Sequence, residues 1–234
     1  MLGDASMPLH LPAAEPSLMG MPEITERWTA LQVRALPDDG LRYEAVDGVL
    51  LVTPAPSLPH QVGVQSLFEK LRAYVPVQKL GYVFFSPADI ELDPHTLVQP
   101  DLFVASLIDG RRPRSWTEIT TLLLAVEVLS PSSARYDRQL KRRRYQRAAF
   151  PEYWIVDLDS RLLERWRPQD ERPEVLTERI EWRPAGAAEA MVIDLTAFFE
   201  EVLVGDRGHP ERSEGPAFPG VPTTREADPS LRSG

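Results

Sequence analysis

Apolar and polar positions alternate in a way that divides the chain into short extended segments and a few helices. Ile24–Val33 reads as a short helix. Tyr43–Val46 and Val49–Thr53 read as two strands joined at Asp47-Gly48, a dipeptide that favours a tight hairpin turn. Pro59 suits the first turn of a helix running to about Val75, where Pro76 ends it. Val62, Leu67, Leu71 and Val75 form its apolar stripe at helical spacing. Tyr82–Ser86, Asp89–Leu92 and Leu102–Ala105 follow as strands. Leu122–Leu129 is almost continuously apolar, as in a strand buried on both faces. Ser132–Ala149 reads as a helix ended by Pro151, and Tyr153–Asp157 and Leu162–Trp166 as strands. Val192–Asp194 and Leu195–Leu203 form a last strand and helix. This succession predicts an α/β protein with a mixed central β-sheet flanked by helices.

The pattern fades at both ends. Residues 1–22 hold four prolines and residues 205–234 hold five, with few periodic apolar positions. Both segments are expected to be disordered tails around one domain over residues 23–204, because they carry too little apolar surface to offset the entropy of ordering. The 234 residues show no internal repeat, and 43% are hydrophobic, enough for one packed core.

Composition narrows the chemistry. There is no cysteine, so disulfides, thiolate zinc sites and cysteine nucleophiles are excluded. The four histidines are scattered, so any metal is expected to be a hard cation held by carboxylate oxygens. The net charge of −9 argues against a general nucleic-acid coat, while leaving room for a local basic patch. No stretch approaches the roughly 20 apolar residues of a membrane span. Nor does a basic-then-apolar leader appear, so a cytoplasmic protein is expected.

Three acidic residues interrupt apolar or extended segments: Glu44, Asp101 after Pro100, and Glu127 inside Leu122–Leu129. A buried carboxylate is costly unless it is paired or binds a metal. Meeting at one end of a sheet, the three would make an oxygen site for Mg²⁺ or Mn²⁺. Taken alone, Glu44 reads rather as a solvent-facing residue of an edge strand, and Pro100-Asp101 as a common turn. Glu127 needs a partner in either case. The helix after it carries Asp137, Lys141 and Tyr145 on one face. Asp137 and Lys141 also read as a surface ion pair. The same helix is basic, with Arg135, Arg138, Arg142, Arg143, Arg144 and Arg147. That suits either a solvated face or a phosphate-binding surface.

Taken together, these motifs resemble the Uma-type putative restriction endonucleases of the PD-(D/E)XK nuclease superfamily. The resemblance rests on Tyr43-Glu44-(x2)-Asp47-Gly48, His60, Pro100-Asp101 and Glu127-Val128-Leu129-Ser130-Pro131-Ser132. It continues through Asp137-(x3)-Lys141-(x3)-Tyr145 and Glu152-Tyr153-Trp154-Ile155-Val156-Asp157, and covers about residues 24 to 203. It implies a restriction-endonuclease-like core and a metal-dependent DNA endonuclease using Mg²⁺ or Mn²⁺. Asp101 and Glu127 would be the principal ligands and Glu44 a third acidic group. The superfamily pattern puts a lysine two residues after Glu127, where this chain has Leu129, so Lys141 is the implied replacement. His60, Tyr145 and Arg142–Arg144 are the implied substrate contacts. DNA is the expected partner, with RNA as an alternative, in a homodimer that cuts both strands. A protein that keeps the fold and binds nucleic acid without turnover is the rival reading.

Overall fold

The structure is a computed structural model and describes residues 27–203. Both expected tails, 1–22 and 205–234, lie outside the described residues. The central sheet has six strands: β3 (Gly81–Phe85), β6 (Leu102–Ser106), β7 (Leu122–Val128), β8 (Glu152–Asp157), β9 (Leu162–Trp166) and β10 (Glu174–Leu176). Their spatial order is β10-β9-β8-β7-β6-β3. Only β7 and β8 run parallel, and the other neighbours are antiparallel. A parallel pair cannot be closed by a tight turn and needs a crossover. Here the crossover is α3 (Ala134–Tyr136), a π-helical turn (Asp137–Lys141) and α4 (Arg142–Arg147), running on from one another.

The apolar run of β7 is explained by cover on both faces. Leu124, Val126 and Val128 pack with Leu67 and Leu71 of α2 (Leu58–Tyr74) and with Phe198 and Phe199 of α5 (Leu195–Leu203). On the other face Ala125, with Phe103 and Ile155, meets Tyr145 of α4. The same cluster includes Val46, Leu51, Ile90 and Val98, which belong to a second sheet. That sheet is antiparallel and contains β1 (Arg42–Val46), β2 (Val49–Thr53), β4 (Ile90–Asp93) and β5 (Thr96–Val98), in the order β2-β1-β5-β4. A short ribbon of β11 (Arg179–Trp182) and β12 (Met191–Asp194) completes the fold.

The central mixed sheet is as expected; the second sheet is an addition that the pattern does not predict. Its strand β5 is only three residues long and wholly buried, so it shows no alternation to read. Pairing with β5 makes β1 an inner strand, which removes the edge-strand reading of Glu44. The hairpin at Asp47-Gly48 is as expected: both residues have positive φ (54° and 85°), the geometry of a type I′ turn. Of the expected helix Ile24–Val33, residues 24–26 lie outside the described residues, and 27–29 are not helical. α1 covers Ala30–Arg34 because Thr29 caps it: its hydroxyl accepts from Gln32 N, while its own N–H donates to the Gln32 side chain. Among the described residues no helix is long and apolar enough to cross a membrane.

Candidate active site

Strand register brings Asp101 and Glu127 together. β6 begins just after Asp101, and Leu102 lies opposite Val126 of antiparallel β7, so Glu127 falls beside Asp101. The Asp101 N–H points to Glu127 Oε2 at 3.4 Å. Both oxygens of Asp101 have partners. Its Oδ1 accepts from Arg42 Nη1 at 2.6 Å, and its Oδ2 accepts from Val128 N at 2.9 Å and faces His60 Nε2 at 3.1 Å. Burial alone would raise this carboxyl, but the His60 hydrogen bond and the Arg42 charge outweigh it and hold Asp101 well below the usual range. An ionised Asp101 only accepts, so Nε2 of His60 carries the proton. The other ring nitrogen, Nδ1, is buried without a partner among the described residues.

Next to this pair, Lys141 lies inside a ring of carboxylates. Its Nζ is 2.8 Å from Glu44 Oε2, 3.0 Å from Glu127 Oε1 and 3.5 Å from Asp137 Oδ1. All four side chains are no more than 2% exposed. Lys141 and Asp137 stand at the two ends of the π turn, so the alternative of a surface ion pair is excluded by burial. Glu44 is also fixed by Gln99 N, which donates to its Oε1 at 2.7 Å, and Glu127 Oε1 accepts from the Tyr145 hydroxyl at 3.4 Å.

Burial opposes the Lys141 charge, but the three carboxylates more than compensate and push its pKa well above the ordinary lysine value. Burial drives the carboxyls of Glu127 and Asp137 upward, and the single shared ammonium only partly offsets that. Burial, with the Glu127 charge next, likewise raises the Tyr145 phenol, so it remains a hydrogen-bond donor at neutral pH.

The structure thus gathers Glu44, Asp101, Glu127, Lys141, His60 and Tyr145. It does not gather Arg142, Arg143 and Arg144, which point three ways, as successive helical residues must. Arg142 stacks on the Trp166 ring at 4.6 Å. Arg144 pairs with Asp93 at 2.6 Å and with Asp47 at 3.7 Å. Arg143 is exposed beside Leu140 and Arg147, away from the carboxylates. Two residues of the cluster were not singled out as site residues in the sequence. Arg42 could have been found from its position two before Glu44, on the same face of a strand. Asp137 had the right spacing to Lys141, but nothing in the sequence marks that helix face as buried.

A groove of about 730 Å³ reaches the edge of this cluster at Asp101, with Glu44, Glu127, Asp137 and Lys141 behind its lining. Asp101, Arg42 and His60 form its floor, and Ser57, Phe85 and Ser130 are among its walls. Fit to a hard divalent cation can be judged from the donors. Four buried carboxylates (Glu44, Asp101, Glu127 and Asp137) face two fixed cations, Lys141 and Arg42. When ionised they leave an excess of two negative charges, and Asp137 Oδ1 lacks a hydrogen-bond partner among the described residues. Hard oxygens with this charge deficit suit Mg²⁺ or Mn²⁺ in chemistry. No three His, Asp or Glu side chains among the described residues are yet grouped as ligands, since Lys141 stands between Glu44 and Glu127.

A mixed sheet crossed by one βαβ unit, with a carboxylate–lysine cluster at the end of its central strands, defines a restriction-endonuclease-like α/β protein. The chain belongs to the Uma2 family, described as "Putative restriction endonuclease", whose model matches residues 30–197. It also resembles a crystal structure of a putative nuclease belonging to DUF820 from Anabaena variabilis. The TM-score is 0.60 at 18% identity, over 75% of this chain and 99% of that one, a likeness of fold. Comparison with curated proteins gives no match.

Proposed function

We propose that the chain is a metal-dependent endonuclease that hydrolyses DNA phosphodiester bonds. The observation that carries this reading is the buried cluster of four carboxylates and one lysine, whose member Asp101 lines an open groove. Buried charge in excess of its partners is costly to keep and recurs where chemistry needs it. Asp101 and Glu127 would hold Mg²⁺ or Mn²⁺, with Glu44 as the additional acidic group. When bound, such an ion supplies Lewis acidity toward a phosphate and acidifies a coordinated water.

The chain's own residues supply the rest. His60, Arg42 and the Val128 N–H hold Asp101 ionised and oriented. Tyr145 donates to Glu127 Oε1 and orients it. Lys141 remains an ammonium at neutral pH, so it cannot serve as a general base. It suits orientation of the attacking water, or stabilisation of the negative charge that develops on the phosphate. Arg42 reaches the groove from the same floor and is placed to meet a phosphate. Lys141 between Glu44 and Glu127 also favours a second reading, a protein that binds nucleic acid without turnover. Purified protein incubated with plasmid DNA in Mg²⁺, Mn²⁺ or EDTA decides between them. Nicking or linearisation in the metals and none in EDTA is expected. Intact plasmid in all three would refute the nuclease reading.

A further inference from the structure

We propose that Asp137 is a positioning residue, which takes the Lys141 ammonium off Glu44 and Glu127 and so frees those carboxylates for a divalent cation. The proposal rests on the nuclease reading and adds a residue that the reading leaves without a role.

Lys141 stands where the cation's ligands have to be free. Its Nζ is 2.8 Å from Glu44 Oε2 and 3.0 Å from Glu127 Oε1, two of the three acids assigned to the metal. An ammonium held by both carboxylates competes with a second positive charge for the same oxygens and repels it at close range. With three carboxylates around it the amine keeps its proton. It therefore cannot yield by becoming neutral, and has to move with its charge to another acid.

Asp137 is the acid that can receive it. Glu44 and Glu127 each have further donors: Gln99 N–H lies 2.7 Å from Glu44 Oε1, and the Tyr145 hydroxyl lies 3.4 Å from Glu127 Oε1. Asp137 Oδ1 has no hydrogen-bond partner among the described residues, although Asp137 is only 1% exposed. It lies 3.5 Å from Nζ, within ion-pair reach and beyond the usual N–H···O distance of about 2.7–3.2 Å. A buried acceptor left without its bond is costly, and a closer approach of Lys141 supplies that bond.

The local structure allows the approach. Glu44 and Glu127 belong to strands β1 and β7, whereas Asp137 and Lys141 are the two ends of one π-helical turn. Such turns recur at functional sites. Transfer of the ammonium to Asp137 needs torsions of one flexible four-carbon side chain and leaves both strands in place. Asp137 does not line the groove, so its task is to hold Lys141 and not to touch substrate. The contact also keeps the ammonium at the site, where the proposed chemistry uses it.

Calorimetric titration of the full chain with Ca²⁺ reads cation affinity without turnover. Asp137→Asn is expected to weaken Ca²⁺ binding roughly tenfold or more, as loss of a group that orients a metal site does. Lys141→Met removes the competitor and should bind Ca²⁺ at least as tightly as the parent. In that background Asp137→Asn should change the affinity by no more than about twofold, because the two residues act through one contact. Urea melts identify variants that fold. If Lys141→Met does not, Lys141→Gln takes its place, and Asp137→Glu, which keeps the charge, should bind Ca²⁺ more tightly than Asp137→Asn. Equal weakening by Asp137→Asn with and without Lys141 would make Asp137 a ligand or a packing residue and overturn the proposal. An unchanged affinity in Asp137→Asn overturns it too. Plasmid cleavage by the parent in Mn²⁺ tests the nuclease reading separately. The expected Ca²⁺ pattern without cleavage supports the role of Asp137 and sinks the nuclease reading, and cleavage without that pattern does the reverse. A parent that binds no Ca²⁺ or Mn²⁺ overturns both.

Discussion

Asp101 and Glu127 are neighbours at the end of the same sheet and almost equally buried, yet their carboxyls are pushed in opposite directions. The difference lies in partners. Asp101 has a guanidinium, an imidazole N–H and a backbone N–H largely to itself. Glu127 shares one ammonium with Glu44 and Asp137. Burial costs both, and only Asp101 is compensated. One half of the site is thus complete without further charge, and the other half is short of positive charge. A divalent cation would relieve the second half and has least to add to the first.

The strongest way to break this contrast is to remove the shared ammonium. Lys141→Met leaves three buried carboxylates without a counter-charge. Stability should fall by about 3–5 kcal/mol in chelator, as when a buried ion pair loses one member. Urea denaturation checks this. Single-turnover cleavage at saturating protein should also fall by a factor of roughly 10² or more, with equilibrium DNA binding in Ca²⁺ nearly unchanged. Parental cleavage by this variant would show that Lys141 is structural only.

Replacing each acid by its amide should separate the two halves. Asp101→Asn gives Arg42 and His60 an uncharged partner and should destabilise by about 1–3 kcal/mol. Glu127→Gln resembles the protonated form that burial already favours, and should leave the denaturation midpoint close to the parent. Both should lose metal-dependent cleavage. Equal losses of stability would contradict the asymmetry.

The same contrast has a pH signature in metal-free protein. Asp101, lowered on folding, adds stability above the ordinary aspartate pKa of about 3.9, and that stability is lost as pH falls through its lower folded value. Glu127 and Asp137, raised on folding, act in the opposite sense. Their contribution is fully present below the ordinary carboxyl range, about 4, and is lost as pH rises through their folded values. Acidifying from neutral toward about pH 5 should therefore stabilise the parent relative to Glu127→Gln. Denaturant melts of the two proteins across pH would show it, and parallel curves would refute it.

The smallest effect is expected far from both halves. Arg143→Ala should change stability by no more than about 0.5 kcal/mol, because the side chain is exposed beside Leu140 and Arg147. Arg144→Ala, which loses the Asp93 and Asp47 pairs, should cost more.

Much of this was legible along the chain. Asp47-Gly48 named its own turn, and the unbroken apolar run at Leu122–Leu129 announced a strand covered on both faces. Glu127 inside that run demanded a partner, and the i, i+4 spacing of Asp137 and Lys141 put two candidates on one helix face. These are local features, set by backbone geometry and by the cost of burying charge, so a linear sequence can carry them. What it could not carry was depth and pairing. Whether Asp137 and Lys141 lay on the surface or in the core depended on the second sheet, whose strand β5 is too short to leave a pattern. The same sheet turned β1 into an inner strand, buried Glu44 and brought Arg42 to Asp101. It also supplied Asp47 and Asp93 to tie down Arg144, where the sequence showed only a basic helix. Charges on a chain are known from its letters. Which of them neutralise each other is decided only when residues far apart in sequence are packed out of water.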